Sequence, residues 1–125
     1  MTEREAGWTD IVDLAALAGA NPAFSPVWTH QSGDLNVNLL VFEQGDGVAE
    51  HVNAEVDVLL VGIAGEGEIA IDGRPQTVRA GMAAVIPKGA RRAIRATSDR
   101  FAYLTCHRRR APLLPRAARR STDAG

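Results

Sequence analysis

Cysteine is nearly absent from this chain of 125 residues: Cys106 stands alone, so no internal disulfide can form. Its place inside a strand-like run reads as a small buried hydrophobe. Aromatic residues make up 5% of the sequence, and lysine occurs once, as Lys88, so 13 of the 14 basic residues are arginine. No apolar run approaches the roughly 20 residues that span a bilayer, and no membrane association is expected. The first residues, Met1-Thr2-Glu3-Arg4-Glu5, have neither a basic n-region nor an apolar h-region, so no signal peptide is expected and the cytoplasm is the expected compartment. Also missing are a Gly-x-Ser-x-Gly elbow and a phosphate-binding glycine loop. Gly65-Glu66-Gly67 leads from one strand-like run into another, which excludes a dinucleotide fingerprint. Cys106 and His107 are neighbours on one strand, so their side chains point to opposite faces and cannot pair as nucleophile and base.

What is present fits one soluble domain. Hydrophobic residues account for 46% of the chain, and this length can bury about two-thirds of the unfolded surface. The net charge of -1 hides an asymmetry. Residues 1–87 carry 3 basic and 13 acidic side chains, and residues 88–125 carry 11 and 2. A basic end can be a nucleic-acid arm. This one lacks aromatic residues for base stacking, so it reads as a solvated tail, or one lying on acidic surface, and a nucleic-acid partner is not expected.

Turn signals divide the chain into short strands. Thr9-Asp10 before Ile11-Val12-Asp13-Leu14 predicts a short helix capped by Asp10, with Ile11, Leu14 and Leu17 on one face and Gly19 at its end. Asn21-Pro22 breaks the chain, and Phe24, Pro26 and Trp28 belong to an irregular apolar stretch. Asp34 to Glu43 opens with alternation, Leu35, Val37 and Leu39 against Asn36 and Asn38, which predicts a half-buried strand. Asp72-Gly73 predicts a hairpin turn between Glu68–Ile71 and Gln76–Val78, with Pro75 on an unpaired edge or in a bulge. Further strands are expected at Met82–Ile86, Ala90–Ala96 and Phe101–His107. Seven or eight strands with turns every six to twelve residues predict an all-β sandwich or barrel. Residues 1–34 would lie across its outer face, residues 35–107 would form the barrel, and residues 108–125 would be a basic tail, extended and then partly disordered.

The chain is organised around Gly45 to Gly65, where a glycine turn leads into His51, Asn53, Glu55 and Asp57 and then into a buried strand-like run. Some forty residues on, Gly81 to Arg92 reads GMAAVIPKGARR, a strand ending in a Pro-x-Gly turn. Together the two stretches resemble the paired motifs of the cupin family, whose members are double-stranded β-helix jelly rolls. Gly45 and His51 have the spacing of the first motif, and Gly81, Pro87 and Gly89 that of the second. The resemblance covers residues 35–107 and implies a cupin-type jelly-roll barrel, with a short N-terminal helix before it.

The resemblance also implies a metal site of three histidines and a glutamate, and here the sequence departs from it. His51 occupies the first ligand position, Asn53 the second and Arg92 the last. A neutral amide oxygen is a weak ligand for a transition metal, and a guanidinium offers no lone pair. The acidic position has two registers. Counting forward from Asn53 selects Asp57; counting back from Gly65 selects Val58 and turns Asp57 the other way. If a metal were bound, His51, Asn53 and Asp57 would be its ligands; the expectation is no tightly bound metal, a divalent transition metal being the alternative. Arg92 facing inward needs a partner, either Asp57 or an anionic ligand matched to its planar fork. His30 and His107 are expected at the surface or at strand ends, and Tyr103 in the core.

Three functions fit these residues. The first is a barrel that binds a small polar or anionic molecule through His51, Asn53, Arg92 and Asp57. The second is an enzyme of the isomerase, cyclase or dioxygenase type that the resemblance implies, with His51 as acid or base. The third is a structural or regulatory module whose barrel is filled by its own side chains. A homodimer is expected, because the strand Asp57 to Ile63 is apolar on both faces and only one can fill the barrel.

Overall fold

The computed structural model describes residues 11–20 and 26–109. The expected Asp10 cap, Phe24 and the tail from Arg110 onward lie outside the described residues. The helix α1 is short, Leu14–Ala20. It starts later than the sequence predicts because Asp13 caps it: the Ala16 backbone N–H donates to Asp13 Oδ1 at 3.0 Å. Ile11 therefore stays outside the helix and exposed, and Ala18 is the residue α1 buries.

Among the described residues nine strands follow: β1 Trp28–Gln31, β2 Leu35–Glu43, β3 Gly47–Val52, β4 Val58–Ala64, β5 Glu66–Ile71, β6 Arg74–Arg79, β7 Ala83–Ile86, β8 Arg91–Ala96 and β9 Arg100–Arg108. They form two antiparallel sheets, ordered β1-β2-β9-β4-β7 and β3-β8-β5-β6, which is the jelly-roll arrangement. β1 lies where the sequence predicts irregular chain; its residues Trp28 and His30 pair with Leu39 and Val37 of β2. The hairpin between β5 and β6 turns on Asp72 and Gly73, both with positive φ (51° and 81°). Pro75 sits on β6, the edge of its sheet, where a missing N–H costs no ladder bond.

Between the sheets lies one main core built from Leu40, Leu60, Ile69, Val78, Ile86, Ile94, Phe101 and Tyr103. Phe101 approaches Gly67 so closely that no side chain would fit there. Strand alternation then fixes what else faces inward. Leu40 pairs with Tyr103 and Phe42 with Phe101, so the same face of β2 and β9 continues, two residues at a time, into Asn38 opposite Thr105 and Asn36 opposite His107. The interior thus has an aromatic and aliphatic end, and a polar end at the start of β2.

The alternation in β2 is therefore real but inverted with respect to the barrel. Its asparagines face in, while Leu35, Val37 and Leu39 face out. Across the outer face of the five-stranded sheet, Val85, Leu59, Cys106, Val37 and His30 stand in one register row. Val85 is 65% exposed and Leu59 41%. Cys106 belongs to this half-buried outer surface, not to the core. Farther along the same face, α1 covers Val41 and Ala102 with Ala18. Among the described residues no helix is long and apolar enough to cross a membrane.

Candidate functional site

The two glycine-flanked stretches singled out in the sequence meet at the polar end of the interior. In the register of β3 with β8, His51 stands opposite Arg92. The ladder is irregular between Val48 and His51, a bulge of the kind that re-aims a side chain. Arg92 lies on the same face of β8 as Ile94 and Ala96, the face that packs the core, and is 1% exposed. Its Nε donates to His51 Nε2 at 3.3 Å. The His51 ring is oriented from the other side, where Nδ1–H donates to the Ala49 carbonyl at 2.9 Å. That pair of bonds defines a neutral imidazole with its proton on Nδ1 and its remaining lone pair directed at the guanidinium.

Asn53 is 5% exposed, and its amide closes a turn. Its Oδ1 accepts from the backbone N–H groups of Glu55 at 2.9 Å and Val56 at 3.3 Å. Its carbonyl accepts from the Gly89 N–H at 2.8 Å. Asp57 does the matching work from outside: its Oδ1 accepts from the Lys88 N–H at 2.8 Å. Asn53 and Asp57 thus fasten the β3–β4 connection to the Pro87-Lys88-Gly89 turn at two points. The register adopted is the one counted back from Gly65. Val58 is the inward residue, 0% exposed and paired with Ile86, and Asp57 is exposed. Three of the four candidate residues, His51, Asn53 and Arg92, therefore collect at the polar end, while Asp57 stays on the outside of the turn.

The opposite wall holds residues that the sequence reading did not assign to a site. Asn36, Asn38, Thr105 and His107 line the inward face of β2 and β9 at this end. Asn38 Nδ2 donates to Asn36 Oδ1 at 3.4 Å. His107 sits at the end of β9, one of the two positions expected for it, and is buried rather than at the surface; its Nδ1–H donates to the Arg108 carbonyl at 2.8 Å. Below this row sits Tyr103, fully buried, its ring 5.1 Å from that of Phe101 and 6.2 Å from that of Phe42. Burial pushes its hydroxyl well above the usual phenol range, and the positive charge of Arg92 partly opposes that rise. The available signal was periodicity: counting by twos from the aromatic pair Phe101 and Tyr103 reaches Thr105 and His107 on the same face.

This donor set does not fit a transition metal. The Nε2 lone pair of His51 is taken up by Arg92, Asn53 Oδ1 is committed to two backbone donors, and Asp57 is elsewhere. Among the described residues there is no group of three or more His, Cys, Asp or Glu side chains placed to hold a metal ion. What the site offers is a buried cation with amide and hydroxyl side chains against the aliphatic residues Val58, Leu60 and Ile86.

Comparison with known families and structures agrees with this architecture. The model of the Cupin domain matches residues 38–107. The protein TT1209 from Thermus thermophilus is similar over 82% of this chain and 100% of its own, at 27% identity and a TM-score of 0.69. A cupin-2 domain containing protein from Shewanella frigidimarina matches 71% of this chain and 84% of its own, at 23% identity and a TM-score of 0.60. A cupin 2 conserved barrel domain protein from Leptotrichia buccalis matches over 64% of this chain but only 38% of its own, at 26% identity and a TM-score of 0.58. The comparison with curated proteins found no match.

Proposed function

The chain belongs to the cupin-domain family, and from that premise we propose that it binds a small polar or anionic molecule at the polar end of its barrel, without a tightly bound metal. The observation that carries this reading is the burial of the Arg92 guanidinium on the inner face, held by His51 at 3.3 Å. A guanidinium keeps its proton at every physiological pH and recognises carboxylate or phosphate through its planar fork. It also repels a cation, so the residue that replaces a family ligand biases the site toward anions. His51 and Asn53 supply the neighbouring polar groups, while Asp57 braces the Pro87-Lys88-Gly89 turn from outside the site. The half-exposed His51, Asn36 and Asn38 mark the side from which a solute would enter.

The test is direct. Protein purified without a metal column is denatured, and the released small molecules are identified by mass spectrometry alongside elemental analysis. The expected result is a co-purified anionic metabolite, reduced in an Arg92→Met variant, and less than one equivalent of transition metal. One equivalent of iron, zinc, nickel or manganese that disappears in His51→Ala would overturn this reading and favour a metal-dependent enzyme.

A second reading has its own supporting observation. Arg92 and Tyr103 are both almost fully buried, as they would be in a barrel filled by its own side chains. A structural module of that kind would release nothing on denaturation and would bind no added anion.

We also infer a homodimer. The support is the outer row Val85, Leu59, Cys106, Val37, in which Val85 and Leu59 are exposed side by side and Cys106 and Val37 are half-buried. A second copy of the same face would remove them from water.

A further inference from the structure

We propose that the Tyr103 hydroxyl is a ligand donor of this site, and that the site is built for a small monocarboxylate. The proposal rests on the anion-binding reading above and names both a further residue and the ligand class. Its starting point is an orphan: Tyr103 Oη is buried and has no hydrogen-bond partner. Buried polar groups are nearly always paired, and a hydroxyl left alone in an apolar interior lowers stability unless something answers it. The neighbouring polar side chains are already answered. Both nitrogens of His51, the Asn53 oxygen, the Asn36–Asn38 pair and His107 Nδ1 all have partners.

The phenol is held in place rather than loosely packed. Its ring stacks on Phe42 with an interplanar angle of 25° and tilts at 31° against Phe101. On the flanking strands its register partners are Leu40 and Gly62, neither of which offers a polar side chain. Arg92 is near enough for its charge to act on the phenol. A guanidinium offers only donors, and the Tyr103 hydroxyl stands without a partner, so one acceptor placed between them can take a hydrogen bond from each. The ionisation of Tyr103 is shifted upward, so the hydroxyl keeps its proton, and its role as a donor, throughout the neutral range.

Charge balance selects the carboxylate. Among the described residues Arg92 is the one buried cation, and no carboxylate residue is buried. One guanidinium neutralises one negative charge, and a dianion would bring a second, uncompensated charge into an apolar interior at high cost. A carboxylate has two oxygens with room for both donors. Asn36 and Asn38, nearer the surface, suit hydroxyl or carbonyl groups on the rest of the molecule.

The experiment uses the full chain and three probe anions: acetate, L-lactate and inorganic phosphate, added to wild type, Tyr103→Phe and Arg92→Met and followed by calorimetric titration and thermal unfolding. Lactate is expected to bind wild type more tightly than acetate, and phosphate least. Tyr103→Phe should lose about tenfold or more in lactate affinity, the effect of removing a hydrogen bond to a charged group. Its ligand-free Tm should match or exceed that of wild type, because the ring remains and the unanswered hydroxyl is gone. Equal lactate binding by Tyr103→Phe and wild type, with loss in Arg92→Met, would remove Tyr103 from the site and leave the anion reading standing. Phosphate binding more tightly than lactate would overturn the carboxylate assignment. Failure of all three probes to bind wild type would bring down both the inference and the reading beneath it.

Discussion

Arg92 Nε and His51 Nε2 lie 3.3 Å apart across the β3–β8 ladder, a guanidinium where the family resemblance leads one to expect an imidazole. The pair is asymmetric. Arg92 is buried, whereas His51 reaches the mouth. Removing the histidine takes an acceptor from a buried charge, while replacing the arginine by an aliphatic side chain removes the charge itself. His51→Ala is therefore expected to cost roughly 1–3 kcal/mol, and Arg92→Leu less, because exchanging a buried ion for a well-packed apolar group is often close to neutral. Urea unfolding of the two variants measures the difference. A larger loss in Arg92→Leu would show that the guanidinium holds the barrel together.

Changing the cation back to a ligand should change what the site attracts. Arg92→His sets a second imidazole opposite His51 and removes the fixed positive charge. Zinc or nickel affinity by calorimetry should rise above that of wild type, since neutral imidazoles suit both ions. Adding Asn53→His supplies a third nitrogen, but at a cost: Asn53 Oδ1 holds the Glu55 and Val56 N–H groups. The double variant should bind metal more tightly than the single one and be less stable without it. Unchanged metal affinity in both would mean that the backbone aims position 92 away from His51.

The two motifs and their glycine turns were legible in the sequence because spacing survives where ligands do not. Gly45, His51, Gly81, Pro87 and Gly89 located the barrel and its mouth. The Asp57 question was legible as a pair of registers, and the count from Gly65 selected the one adopted, since a slip of one residue reverses every side chain of a strand. The inner wall of β2 and β9 was missed for a physical reason. In β2 both faces are partly covered, so Leu35, Val37 and Leu39 could be read as the core side when they are the outer side. Which face of an alternating strand points into a barrel depends on its partners, here Tyr103 and Phe101, and not on the strand alone. The helix start was misplaced because two aspartates, Asp10 and Asp13, carry the same capping signal.

Asp57 provides a control for the site. Its carboxylate accepts from the Lys88 N–H outside the barrel, so Asp57→Ala should loosen the Pro87-Lys88-Gly89 turn without reaching the ligand. The expected loss is about 1 kcal/mol or less, because the bond is exposed to solvent. Lactate affinity, measured under the same conditions as for wild type, should stay within a few fold. A loss as large as that of Arg92→Met would place Asp57 in the binding machinery.

The aromatic end of the barrel has a size limit at Gly67. A Cβ there would run into the ring of Phe101, which is fully buried and packed against Tyr103. Gly67→Ala is expected to lower stability by about 1–3 kcal/mol through overpacking, seen as a lower urea midpoint. Gly67→Ala combined with Phe101→Leu should recover part of the loss, because the smaller side chain frees the space. An unaffected single variant would mean that the ring has room to move.

Assembly offers the last prediction, and it separates the outer face from the barrel. Val85 and Leu59 are register partners at one edge of the five-stranded sheet, and Cys106 and Val37 continue the row. Burying such a row against a second copy removes several aliphatic side chains from water at once, each worth on the order of 1–2 kcal/mol when fully covered. Light scattering at micromolar concentration should therefore give twice the chain mass. Leu59→Glu combined with Val85→Glu would place charges in the middle of that contact, where desolvation opposes association, and should yield a monomer with an intact β-rich circular dichroism spectrum. Because both side chains point away from the barrel, lactate affinity of the monomer should match that of wild type. A wild-type monomer, or a double variant that remains dimeric, would refute this interface, and a monomer that no longer binds would show that the site needs the second subunit.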